Sequence, residues 1–141
     1  MTIEASATAA AEPEQVWSVL QDIRHWPEWT KSVISVEPLD DAPLRVGSRA
    51  RVKQPGMPAM IWEVTELTAP SEFTWQSKSA GVRVLGRHLL APLPGGGTKI
   101  TLTIDQRGLL APLVKALTGA RTKRYVTMEA NGLKAAGESV G

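Results

Sequence analysis

His88 is the side chain best suited to acid–base chemistry in this sequence, because an unperturbed imidazole titrates near neutral pH. It stands alone. The second histidine, His25, is far along the chain beside Trp26-Pro27, and with no cysteine and no spaced carboxylate cluster the two do not make a metal site. Ser77 lacks the glycine-flanked strand-to-helix turn that marks a triad nucleophile. Glu63 and Asp105 would form an acid pair only if both faced inward, and strand parity turns both toward water. Gly95-Gly96-Gly97 precedes a strand and not a helix, so it reads as a hairpin loop and no phosphate cradle. Arg121 falls within an apolar helical stripe, from which it would reach a cavity mouth and meet an acidic group on a ligand.

The aromatic composition points to a pocket. Five tryptophans, Trp17, Trp26, Trp29, Trp62 and Trp75, stand against one tyrosine and one phenylalanine. A buried indole N–H wants a partner, so tryptophan is a demanding core filler but a useful flat wall with a polar handle. Whether these rings line a cavity or fill it stays open at this level. The rest of the composition is ordinary for one globular domain over 1–141, with 43% hydrophobic and 21% charged residues. A formal net charge of +2 is too small to make nucleic acid the leading partner. No apolar run is long enough for an integral membrane segment, and Met1-Thr2-Ile3-Glu4-Ala5-Ser6 lacks the basic start of a signal peptide. Together with the absence of cysteine, this gives the expectation of a cytoplasmic protein with no cofactor and no metal.

Positioning these residues requires a definite set of elements. Thr2 to Ala10 alternates as a strand, and Pro13 then suits the first turn of a short helix carrying Val16, Trp17, Leu20 and Ile23. Pro27 disfavours a helical Trp26, so residues 24–29 should bend or restart. Period-two runs follow at Ser32–Leu39, Ser48–Gln54, Met60–Leu67, Glu72–Ser77, Val82–Leu90 and Thr98–Arg107. They are separated by turns at Asp40–Pro43, Pro55–Pro58, Ala69–Ser71 and Pro94–Gly97. Such short spacing favours an antiparallel meander. Leu110, Leu113, Val114, Leu117, Arg121, Tyr125, Met128, Gly132 and Ala135 then recur at helical steps, giving a last helix on the order of 35 Å long, weakened at Gly119.

The fold class is therefore α+β: a curved antiparallel sheet of six to seven strands wrapped around a long C-terminal helix, with two short helices after the first strand. A bent sheet around one helix leaves space between them. Parity assigns Val52 and Gln54, Met60 and Trp62, Trp75 and Ser77, Val84, Gly86 and His88, and Leu102 and Gln106 to its inner face. The helix adds Leu117, Arg121, Tyr125 and Met128, and the early helical segment adds Trp26 and Trp29. A mostly apolar lining with a few placed polar groups suits a small-molecule site. Pro55-Gly56-Met57-Pro58 reads as either a lip or a rigid turn, and its two prolines favour the turn.

Several segments resemble one family in order along the chain. They are Val16–Asp22, Trp26-Pro27-Glu28-Trp29, Val46-Gly47-Ser48, Gln54–Pro58 with Trp62-Glu63-Val64, Gly96-Gly97-Thr98 and Tyr125–Lys134. The chain resembles polyketide cyclase/dehydrase-like proteins of the START-like (SRPBCC), helix-grip superfamily. That resemblance implies the helix-grip fold and a hydrophobic-ligand cavity, and it carries over no catalytic residue. The expected function is binding of a small hydrophobic molecule such as a lipid, isoprenoid or aromatic polyketide. A cyclase or dehydratase with His88 as acid/base ranks second, and a protein-interaction module third. A homodimer is left open.

Overall fold

Each period-two run becomes a strand, and the computed structural model places them in one sheet; it describes residues 2–40 and 43–140. The order is β1 (Thr2–Ala9), α1 (Pro13–Leu20), a 3-10 helix (Ile23–Glu28), β2 (Ser35–Pro38), β3 (Arg49–Lys53), β4 (Met60–Thr68), β5 (Glu72–Ser79), β6 (Val82–Pro92), β7 (Thr98–Arg107) and α2 (Ala111–Ser139). Met1 of the expected start, and Asp41 and Ala42 of the expected turn at 40–43, lie outside the described residues.

The strands form a seven-stranded sheet in the order β1-β7-β6-β5-β4-β3-β2. Every pairing is antiparallel, as the short turns demand. A bulge between Val64 and Glu66 adds local bend and twist to β4. The sheet curves around α2, which is the expected helix-grip arrangement.

Local chemistry sets the early helices. Pro13 opens α1, and Glu12 and Gln15 cap it reciprocally, the Glu12 N–H donating to Gln15 Oε1 at 2.9 Å. The expected restart at Pro27 occurs as the 3-10 helix.

The long helix departs from the expected face. Leu113 and Leu117 point outward, and α2 buries Ala111, Val126, Ala130, Leu133 and Gly137 instead. Small residues win because the backbone must approach closely. A Cβ on Gly132 would lie 2.1 Å from the Trp29 carbonyl oxygen, and one on Gly137 would lie 3.0 Å from Val16 Cγ2. The helix also runs unbroken through Gly119 for 29 residues, or about 43 Å, longer than expected. No helix among the described residues is long and apolar enough to cross a membrane.

Candidate functional site

The interior between sheet and helix divides into a packed aromatic half and an open half. In the packed half, Trp26 contacts Trp75 at 5.2 Å between ring centroids and Trp29 at 5.7 Å, and Trp62 contacts Trp75 at 5.6 Å. Such tilted pairs add roughly 0.5–1.5 kcal/mol each beyond their area burial. Gly86 is the cross-strand partner of Trp75, and a Cβ there would sit 3.1 Å from the indole. Glycine thus leaves room that the tryptophan occupies. Trp26 finds its hydrogen-bond partner in the Leu20 carbonyl at 2.9 Å.

Only a small cleft of about 50 Å³ remains in this half, bordered by Trp26, Val52, Gln54, Trp62, Trp75, Gly86, His88 and Leu102. His88 is buried, stacked on Phe73 at 4.0 Å and 12°, and its Nδ1–H donates to the Phe73 carbonyl at 3.1 Å. Burial pushes its pKa down to about 4, against a smaller upward pull from that hydrogen bond. The imidazole is neutral at pH 7.

The open half is a cavity of about 230 Å³, many times the roughly 10–15 Å³ that one water requires. Gln54, Met60, Trp62, Val84, Gln106 and Tyr125 line it as parity suggested. Met57, Ser79, Val82 and Ile104 join them from the sheet side, and Val114, Thr118, Thr122, Val126 and Glu129 from α2. Gln54, Trp62, Ile104, Val126 and Glu129 border both spaces, so cleft and cavity adjoin.

Glu129 is the functional candidate that the sequence reading missed. The residue is half-buried, its carboxyl is buried, and it lines both spaces. Burial alone raises its pKa from 4.5 to about 7. Among the described residues no ion pair or hydrogen bond joins it. The available signal was helical phase. The stripe Val114, Thr118, Thr122, Tyr125, Glu129 runs beside the leucine stripe and carries one acid in an otherwise neutral row.

Five expected lining residues lie elsewhere. Leu117 is exposed because the outer face of α2 carries it. Met128 is half-buried away from both spaces. Ser77 is fully packed on β5. Trp29 packs on Trp26 and faces a different surface hollow, its buried indole N–H unpaired among the described residues. Arg121 does not reach inward. Its Nη1 donates to the Gly56 carbonyl at 3.2 Å, while Tyr125 Oη donates to the Pro55 carbonyl at 2.7 Å and Lys53 Nζ to that of Met57. The Pro55–Pro58 turn is therefore strapped to the helix.

As parity indicated, Glu63 and Asp105 form no acid pair: Glu63 is exposed, and Asp105 on the outer face pairs with Arg107 at 2.8 Å. The glycine run Gly95–Gly97 is a hairpin loop with positive φ throughout. Among the described residues no group of His, Asp and Glu could hold a metal ion.

Comparison with known proteins places this architecture. Residues 1–138 match the family model described as polyketide cyclase / dehydrase and lipid transport. A hypothetical protein from Helicobacter pylori superposes with a TM-score of 0.80 at 18% identity, over 96% of this chain and 86% of that one. The Zhui aromatase/cyclase from Streptomyces sp. R1128 gives 0.79 at 17% identity, over 98% and 93%. A START superfamily protein from Mycobacterium smegmatis gives 0.70 at 18%, over 95% and 94%. At such identities the likeness is one of fold. No curated protein matches the chain. The chain belongs to the polyketide cyclase/dehydrase and lipid transport family.

Proposed function

We propose that the chain acts as one domain that binds a small hydrophobic or aromatic molecule between the sheet and α2. The observation that carries this reading is the cavity of about 230 Å³, walled by Trp62, Met60, Val84, Ile104 and Val126 with polar side chains placed between them. Thr118 and Tyr125 spend their hydroxyl protons on backbone carbonyls, and the other polar lining residues, Gln54, Ser79, Gln106, Thr122 and Glu129, suit a ligand with one or two oxygen functions on an apolar frame. The absence of cysteine suits a reducing cytoplasm, where we place it.

The test is a titration of fused-ring aromatic ketones and of fatty acids against intrinsic tryptophan fluorescence. Saturable change is expected in the native protein and a large loss in Val84→Phe with Val126→Phe, which together fill much of the cavity. No saturation with any compound, or an unchanged response in the filled variant, would sink the proposal.

A second reading, proton transfer during cyclisation or dehydration, is favoured by one observation. Glu129 and His88 border the same cleft, and a carboxyl with a pKa near 7 matches acid–base work at neutral pH better than an imidazole near 4. The family's description and the aromatase/cyclase neighbour suggest an aromatic or polyketide-like substrate. Glu129→Gln should then abolish turnover of such a substrate and retain its binding; retained turnover removes Glu129 from the chemistry.

A further inference from the structure

The outer face of the first half of α2 is apolar where water should favour polar residues. Leu113, Ala116, Leu117 and Ala120 recur there at helical steps, Leu109 precedes them in the turn before the helix, and all are exposed. Leu109 is 96% exposed, Leu117 76%, Leu113 56% and Leu110 45%. This is a convex ridge of leucine, not a groove awaiting a peptide. Its inner side is the cavity wall, since Val114 and Thr118 line the cavity from the same turns.

Charge is distributed around this ridge in one sign. Residues 108–128 contain Lys115, Arg121, Lys123 and Arg124 and no acid. The whole chain has 16 basic and 14 acidic residues, so without these four the balance reverses to twelve against fourteen. The adjoining end of the sheet adds a cationic row. Lys78 pairs in register with Arg83, and Arg83 with Arg107, all three exposed on the outer face. Like charges set directly opposite one another destabilise a sheet, and of the three only Arg107 has an acidic partner among the described residues, Asp105. The row meets the ridge at its start, where β7 turns into α2. Leu110 packs over Gly81 in the β5–β6 turn, and Lys78, Arg83 and Arg107 border one shallow hollow with Gly108.

We propose that the Leu109–Ala120 ridge and the Lys78–Arg83–Arg107 row dock this end of the molecule on an anionic lipid surface. Leucines enter the headgroup boundary while the cations meet lipid phosphates, the two-part chemistry of a peripheral membrane contact. Ser79 and Val82 line the cavity from the docking end, so a docked molecule presents its cavity wall to the bilayer. Docking itself does not depend on an occupied cavity, so this proposal and the ligand-binding reading fail separately.

The experiment is co-sedimentation of the full chain with vesicles of phosphatidylcholine alone and of phosphatidylcholine with phosphatidylglycerol, at low and high salt. Binding is expected only to the anionic vesicles, weakening with salt. Arg83→Gln should weaken it by roughly fivefold, as loss of one surface cation implies. The double variant Leu113→Ser with Leu117→Ser should weaken it roughly tenfold or more at either salt. Both leucines are exposed, so thermal melting should be unchanged in that variant. Absent binding to anionic vesicles, or full binding by the leucine variant, overturns the proposal. So does a native dimer that this variant dissociates, because the ridge would then be the seat of a second copy.

Discussion

His88 and Phe73 face each other across neighbouring strands with their rings 4.0 Å apart and nearly parallel, and the imidazole bonds through Nδ1 to the Phe73 carbonyl. Both groups are buried, which explains why the histidine stays neutral far below its usual range. In the unfolded chain His88 titrates near 6.5, and in the fold near 4. The unfolded state therefore binds the extra proton, and this contribution to stability is full above pH 6.5 and is lost as pH falls toward 4. The difference corresponds to on the order of 3 kcal/mol. Denaturant melts of native protein and His88→Phe across this window should diverge toward acid, and an imidazole NMR titration midpoint near 6.5 would contradict the account.

Glu129 runs the other way. Its folded pKa lies near 7 and its unfolded value near 4.5, so the fold holds the proton more tightly. Stability from this group is full below pH 4.5 and is lost as pH rises through 7. Glu129→Gln removes the penalty. The variant should match the native protein near pH 4.5 and exceed it by on the order of 2–3 kcal/mol at pH 8. Equal stability at pH 8 would mean that water or a counter-ion in the cavity already compensates the charge.

Glycine-to-alanine in a helix normally stabilises by up to about 1 kcal/mol. At Gly132 the sign should invert, because the new methyl would meet the Trp29 carbonyl at 2.1 Å. Gly119→Ala is the control, its Cβ meeting only the flexible Lys115 side chain at 3.5 Å. Melting temperature should fall clearly in the first variant and hold or rise in the second; the same sign in both is the contrary result.

The strap on the Pro55–Pro58 turn predicts a kinetic effect. Tyr125→Phe deletes the bond to the Pro55 carbonyl, worth about 0.5–1.5 kcal/mol net. Amide hydrogen exchange at Gly56 and Met57 should quicken several-fold while exchange in β5 and β6 stays unchanged. Uniform acceleration would instead report global destabilisation.

Strand positions were legible in the sequence because one face of each strand meets the core and parity records it. Val52, Trp62, Val64, Trp75, His88, Leu102 and Gln106 are all buried on the expected face. The helix was harder to read. The leucines of its first half mark the outer ridge, while its buried face mixes Val126 and Leu133 with Ala130, Gly132 and Gly137, whose smallness matters more than their hydrophobicity. Reading hydrophobicity as burial turned α2 by about one residue. That turn placed Leu117 and Met128 inward and left Glu129 out. Tryptophan roles also resisted parity, since Trp29 and Trp75 share chemistry but differ in what surrounds them. One faces a separate hollow, and the other borders the cleft over Gly86.

β1 is an outermost strand of the sheet, yet α2 reaches its open side. Lys123 Nζ donates to the Glu4 carbonyl, and Glu138 accepts from the Ala10 N–H at 2.8 Å. These side chains occupy backbone groups at which another chain would add a strand. The helix thus serves as a guard against edge-to-edge polymerisation, and a chain that lost it from Lys123 onward would gain a sticky border along with an open interior.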